Sequence, residues 1–426
     1  YKKFKKPSSF QYNTIVLGGG SAGLVAAYTT RTLQGKVALI EKHKMGGDCL
    51  NTGCVPSKSI LRSAKFIADI RNHSRYGLSN ANCDFKYENV INRVRDKIAT
   101  IEPKVSIQRY SELGVDCKQG EANVISPWEV EVDNQVLSAK NIIIATGATP
   151  LIPNISNIEE VPYYTTDTIW SLNQLPEKLL IIGAGPIGCE LGQAFSRLGA
   201  NVTIVHRRST ILPNEDEEAA KLVEASLLED NITLLTNFTT QKLIHDDGDF
   251  SLLGTKNNAD IKIEFTHLLV ATGRKANLEG LENLNLDIND SGKVTTNETL
   301  QTKYPNVYAC GDVTSPMQYT HTASHQAWYA AFNALFHPMK KFACKLDNVP
   351  RSVFTEPEIA SLGLTQEQAI SADIDHQVTT FPMDDIDRAI TDNATTGFIK
   401  VITPTNGDKI LGVTIVGEQA SELIAE

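Results

Sequence analysis

Two stretches of the chain repeat one order of apolar run, glycine cluster and helix-like periodicity. The first opens at residues 14–17 (Thr-Ile-Val-Leu), passes Gly18, Gly20 and Gly23, and runs into an alanine-rich helix from Leu24. The second opens at 179–182 (Leu-Leu-Ile-Ile), passes Gly183, Gly185 and Gly188, and continues as a helix through Phe195. Each returns to an apolar strand, at 36–40 (Lys-Val-Ala-Leu-Ile) and 201–205 (Asn-Val-Thr-Ile-Val). Short apolar runs bounded by glycine predict buried parallel strands, and the spacing between them fits one crossover helix. The pattern predicts strand, tight turn, helix, strand, twice over. It is the order of an α/β chain with two Rossmann-like dinucleotide-binding domains.

The glycine spacing has a mechanism. The first glycine makes the sharp turn, the second admits a pyrophosphate to the backbone, and the third lets helix and strand pack closely. The phosphates then meet the helix N-terminus, where unpaired N–H groups favour anions. The residue ending each second strand separates the two ligands. Glu41 lies 23 residues after Gly18, where a carboxylate accepts from ribose hydroxyls, which suits FAD. His206 lies 23 residues after Gly183 and is followed by Arg207 and Arg208. Histidine and arginine there hold a 2′-phosphate that a carboxylate repels, so the second site leans to NADPH over NADH. Gly188 argues the other way, because a third glycine is usual for NAD.

With 426 residues the chain exceeds one hydrophobic core, and two to four domains are expected. A net charge of −10 argues against a general nucleic-acid or anionic-membrane surface. No apolar run is long enough to span a bilayer, and the start lacks the apolar stretch of a signal peptide. Residues 1–11, with Lys2, Lys3, Lys5 and Lys6 ahead of Pro7, read as a solvated basic tail or as the linker stub of a longer chain. Seven scattered cysteines are not a secreted disulfide framework, so a cytoplasmic setting is expected. Cys83, Cys117, Cys189, Cys310 and Cys344 read as small buried hydrophobes. Cys49 and Cys54 form a close pair, more in keeping with catalysis or metal binding than with structure.

The segment from Gly46 to Lys58 (Gly-Gly-Asp-Cys-Leu-Asn-Thr-Gly-Cys-Val-Pro-Ser-Lys) closely resembles the redox signature of the class I pyridine nucleotide–disulfide oxidoreductases. Residues 142–147 (Ile-Ile-Ile-Ala-Thr-Gly) and 268–273 (Leu-Leu-Val-Ala-Thr-Gly) resemble that family's crossings between its FAD and nicotinamide domains, ending in Thr146, Gly147 and Gly273. Residues 308–312 (Tyr-Ala-Cys-Gly-Asp) resemble its second FAD motif, in which Gly311 precedes the aspartate, Asp312, that binds the ribityl chain. Residues 319–323, with His321 and Ala323, sit where family members run backbone along the flavin ring. Asp48, residues 183–195, residues 211–213 and residues 387–392 (Asp-Arg-Ala-Ile-Thr-Asp) are most similar to the mercuric-reductase-like branch.

The resemblance implies a homodimeric, FAD-dependent enzyme. Electrons pass from NADPH through flavin to a Cys49–Cys54 redox disulfide, then to a small disulfide or a soft metal ion such as Hg(II). It assigns Cys54 to the flavin side and Cys49 to the substrate, and pairs Lys58 with Glu190 near flavin and nicotinamide. Lys58 lies one helical turn past Cys54 and is expected on the same side; read alone, it and Glu190 are charged helix residues. No structural zinc spacing occurs among the nine histidines, and no resident metal is expected. The implied domains are FAD-binding at 12–150 and 277–345, nicotinamide-binding at 151–276, and α+β dimerisation at 346–426. The last is read as incomplete, because no histidine–glutamate acid–base pair follows His376 and no C-terminal cysteine pair occurs. The rival readings are an NAD-linked dihydrolipoamide dehydrogenase, and a flavoprotein module of a larger, membrane-associated assembly without disulfide turnover.

Overall fold

A computed structural model describes residues 3–337 and 339–426; Tyr1 and Lys2 of the basic tail lie outside the described residues. The chain divides into two compact units. One comprises Tyr1–Pro56, Arg95–Pro150 and Arg274–Leu346, the other Ser57–Val94, Leu151–Gly273 and Asp347–Glu426.

The first unit is built on a sheet whose parallel part runs Asp116–Gln119, Val37–Glu41, Tyr12–Leu17 and Gln135–Ile144. The long strand Gln135–Ile144 changes partner along one edge. Gln135 to Ser138 pair antiparallel with Glu129–Val132, and Ile142 to Ile144 pair parallel with Val307–Ala309. Alternate strand residues serve opposite faces. Ile15 and Leu17 join one core cluster, while Val16 joins Ile143 and Tyr308 beneath the alanines of helices Ser21–Thr32 and Thr320–Phe336. Alanine lets these helices approach the sheet closely. The first helix starts at Ser21, ahead of the Leu24 expected, because Gly20 already turns the chain. The start of the chain is partly docked: the Phe4 ring meets Tyr304 edge-on at 6.2 Å and packs against the core.

The second unit holds a five-stranded parallel sheet ordered Thr233–Leu235, Asn201–Val205, Lys178–Ile182, His267–Val270, Tyr163–Tyr164. A three-stranded antiparallel sheet follows Thr233–Leu235 in sequence. The C-terminal part forms an antiparallel sheet of five strands: Arg351–Val353, Glu358–Gly363, Gly412–Gly417, Phe398–Thr403 and Gln377–Pro382. Among the described residues no helix is long and apolar enough to cross a membrane.

Candidate active site

The two glycine turns have nearly the same geometry. Gly18 has φ +101° and Gly183 φ +115°, a region open to glycine. A Cβ on Gly23 would fall 1.7 Å from the Gly18 carbonyl oxygen, and one on Gly188 would fall 1.9 Å from that of Gly183. The third glycine of each turn is therefore demanded by the packing of this backbone. A Cβ on Gly185, by contrast, meets nothing within 4 Å.

At the first turn, Glu41 accepts the Gly19 N–H on Oε2 and the His43 N–H on Oε1, both at 2.6 Å. These bonds lock the carboxylate at the strand end while each oxygen keeps a second lone pair for a ribose hydroxyl. Gly147 has φ +71° with open space where a Cβ would lie. The Thr146 hydroxyl instead donates to the Asn277 carbonyl at 2.7 Å, and Asn277 Nδ2 returns a bond to the Thr146 carbonyl at 3.0 Å. Thr146 thus fastens the strand crossing, with a partner that sequence reasoning missed. Gly311 donates its N–H to Gln326 Oε1 at 2.7 Å, which ties the turn carrying Asp312 to helix Thr320–Phe336. Burial pushes the Asp312 carboxyl up to about 6, with Arg274 opposing the rise. A carboxylate so held needs further hydrogen-bond donors, which ribityl hydroxyls would supply. The Thr322 hydroxyl on the same helix is buried and unpartnered. These residues fit FAD.

Cys49 lies in the short helix Gly47–Asn51, and Cys54 is the first residue of helix Cys54–Arg71. Both side chains are present as thiols. A hydrogen bond to Cys54 is the main cause that holds the proton on Cys49 well above the ordinary thiol range. Burial and the charge on Cys54 add to the rise, while the hydroxyls of Thr320 and Ser21 pull the other way. Thr320 Oγ1 also lies 3.3 Å from the Cys54 sulfur, at the N-terminus of the 17-residue helix Thr320–Phe336. Helix N-termini favour negative charge, so the arrangement suits a thiolate on Cys54 and a proton on Cys49. Ser21 lies inside the first glycine turn and Thr320 inside residues 319–323, but nothing in the residue pattern points either of them at the cysteines.

In the second unit Lys58 Nζ lies 2.9 Å from Glu190 Oε2 and 4.2 Å from the Phe354 ring centroid. Glu190 Oε1 accepts the Phe354 N–H at 3.0 Å. The expected Lys58–Glu190 pair therefore forms, and Phe354 is its unforeseen third member. His206 departs from expectation. Its Nδ1 accepts the Ala184 N–H at 3.3 Å, which fixes the proton on Nε2, and that Nε2–H is buried without a partner. Burial, then Arg208 and Arg207, lower its pKa below the ordinary 6.5. His206 is a neutral donor, not a cation, and Arg207 and Arg208 beside it are exposed. An orphan donor at the strand end next to two guanidiniums fits a nicotinamide dinucleotide.

His321 and His325 are exposed, the first stacked on Tyr319 at 5.5 Å and the second beside Tyr329 at 4.9 Å. Of the remaining cysteines, Cys189 and Cys310 are buried as expected, whereas Cys83, Cys117 and Cys344 are only half-buried.

Residues 12–327 match the pyridine nucleotide-disulphide oxidoreductase family, and residues 349–426 match its dimerisation domain. The mercuric reductase of Staphylococcus aureus is 34% identical over 97% of this chain and 76% of its own length. The dihydrolipoyl dehydrogenase of Bacillus subtilis (strain 168) is 31% identical over 98% of this chain and 90% of its own. Among solved structures, the HOCl-induced flavoprotein disulfide reductase RclA from Escherichia coli has a TM-score of 0.85 at 27% identity, covering 97% and 92% of the two chains. The chain belongs to the pyridine nucleotide-disulphide oxidoreductases, FAD-dependent enzymes that use NAD(P)H.

Proposed function

We propose that this enzyme reduces a small disulfide or a soft metal ion such as Hg(II) at Cys49 and Cys54, using NADPH, as a cytoplasmic homodimer. The observation that carries the reading is the hydrogen-bonded dithiol at the head of two helices, its proton held on Cys49. In this reading residues 12–150 and 277–345 bind FAD, 151–276 bind NADPH, and 346–426 dimerise. FAD is held by the turn of Gly18, Gly20 and Gly23, by Glu41, Gly147, Gly311 and Asp312, and by backbone at His321 and Ala323. NADPH is held by Gly183, Gly185, Gly188 and Gly273, with Arg207 and Arg208 on the 2′-phosphate and His206 donating Nε2–H. Bound FAD supplies the means to take a hydride from the nicotinamide and return an electron pair to sulfur.

The chain's own residues do the rest. When the Cys49–Cys54 bond breaks, the charge stays on Cys54 and Cys49 takes a proton. Loss of that proton makes Cys49 the nucleophile; it attacks a substrate disulfide, forms a mixed disulfide and expels one thiolate. The Cys54 thiolate then attacks the Cys49 sulfur, expelling the second thiolate and restoring the disulfide. Two thiolates also suit a soft metal ion, and mercuric reductase is the name carried by relatives of 34% identity. Lys58 and Glu190 hold each other's charge in place beside Phe354.

Turnover of the FAD-loaded protein with Hg(II), glutathione disulfide, lipoamide and coenzyme A disulfide, each with NADPH and NADH, tests the reading. It predicts NADPH-driven consumption of at least one acceptor and a higher kcat/KM for NADPH. NADH-driven turnover confined to lipoamide would establish a dihydrolipoamide dehydrogenase instead.

A further inference from the structure

Asp48 stands immediately before Cys49, and its backbone and side chain do different jobs. Its carbonyl accepts the N–H groups of Thr52 at 2.9 Å and Gly53 at 2.5 Å, closing the turn between the two cysteines. Its carboxylate pairs with Nη2 of Arg274. The same nitrogen donates to the Ala148 carbonyl at 2.5 Å. Arg274 and Ala148 belong to the antiparallel pair of Arg274–Ala276 with Ala148–Pro150. The Arg274 side chain is 14% exposed against 47% for Asp48, so the cation is the more deeply held member of the pair. A bare carboxylate beside a thiol disfavours the thiolate, whereas one paired to a guanidinium does not.

We propose that Arg274 is a positioning residue for Cys49: it neutralises the Asp48 carboxylate and ties the turn between the cysteines to the Ala148–Pro150 strand. This rests on the reading of Cys49 as the substrate thiol. The consequence is a thiol whose reactivity depends on a residue 226 positions away from its neighbour Asp48.

The test follows iodoacetamide labelling of Cys49 and Cys54, resolved by peptide mass, on reduced FAD-loaded protein across a pH series. The thiol–disulfide equilibrium of the pair is read in dithiothreitol buffers. The proteins are wild type, Arg274→Gln, Arg274→Lys, Asp48→Asn and the double variant Asp48→Asn with Arg274→Gln. Arg274→Gln is expected to slow Cys49 labelling near neutral pH roughly three- to tenfold and to move its pH midpoint upward. Arg274→Lys recovers most of the rate. The double variant recovers the midpoint, since neither member of the pair is charged, but holds the two cysteines further towards the dithiol because the tether is gone. Wild-type labelling by Arg274→Gln, or a double variant as slow as Arg274→Gln, overturns the proposal. Absence of any reversible Cys49–Cys54 disulfide in the wild type overturns the redox reading itself.

Discussion

Asp312 carries a stability cost that the proposed FAD binding would offset. Its carboxyl rises from 3.8 to about 6, chiefly through burial. A raised carboxyl pKa favours the neutral form on folding, so this contribution is full below about 3.8 and is lost as pH climbs through about 6. Above that window the ionised side chain costs on the order of 3 kcal/mol. Asp312→Asn is therefore expected to raise the melting temperature of flavin-stripped protein at neutral pH and to flatten its change between those values, while weakening FAD retention. A lowered melting temperature at neutral pH with unchanged FAD retention would contradict this. His206 yields a second expectation. Because its pKa is lowered, its charge appears only below the ordinary 6.5. The KM for NADPH should then show no histidine titration near neutrality, whereas Arg207→Ala with Arg208→Ala should raise it at least about tenfold. A KM that climbs through a transition near 6.5 would restore His206 as a cation.

Among elements, the two glycine turns separate packing from binding. Gly23→Ala places a Cβ against the Gly18 carbonyl and should prevent folding or cost several kcal/mol, about the upper range of overpacking. Gly185→Ala meets open space and has φ −79°, so it should leave the melting temperature unchanged and raise the KM for NADPH. A stable Gly23→Ala protein would remove the close-packing argument. The C-terminal sheet supplies a further case. Lys400 is 2% exposed and its Nζ lies 3.1 and 2.8 Å from the two oxygens of Asp216, which itself caps helix Glu217–Glu229. Lys400→Met leaves that carboxylate buried and unpaired, and denaturant unfolding should show a loss of about 3–5 kcal/mol.

These elements were legible in the sequence because their cause is local: glycine spacing, an apolar run, a cysteine pair five positions apart. What escaped was long-range. Phe354 reaches Glu190 across 164 positions, Thr320 reaches Cys54 across 266, and Arg274 reaches Asp48 across 226. No periodicity encodes such meetings, since only the folded chain decides which loop ends adjoin. The neutrality of His206 escapes for a related reason: it follows from burial and from the Ala184 N–H, neither visible in residue type.

For the molecule as a whole, the acidic surface and the dimerisation domain set the expectations. A chain of 46.6 kDa should sediment as a species of twice that mass, and a monomer at working concentration would contradict the homodimer. The central claim is that electrons from NADPH arrive at one sulfur pair out of seven cysteines. It is tested most directly by oxidising the FAD-loaded protein, adding NADPH without oxygen, trapping new thiols with an alkylating mass tag and mapping them. The account predicts two new thiols per chain, at Cys49 and Cys54, and none in Cys54→Ser. New thiols elsewhere, or none at all, would contradict it.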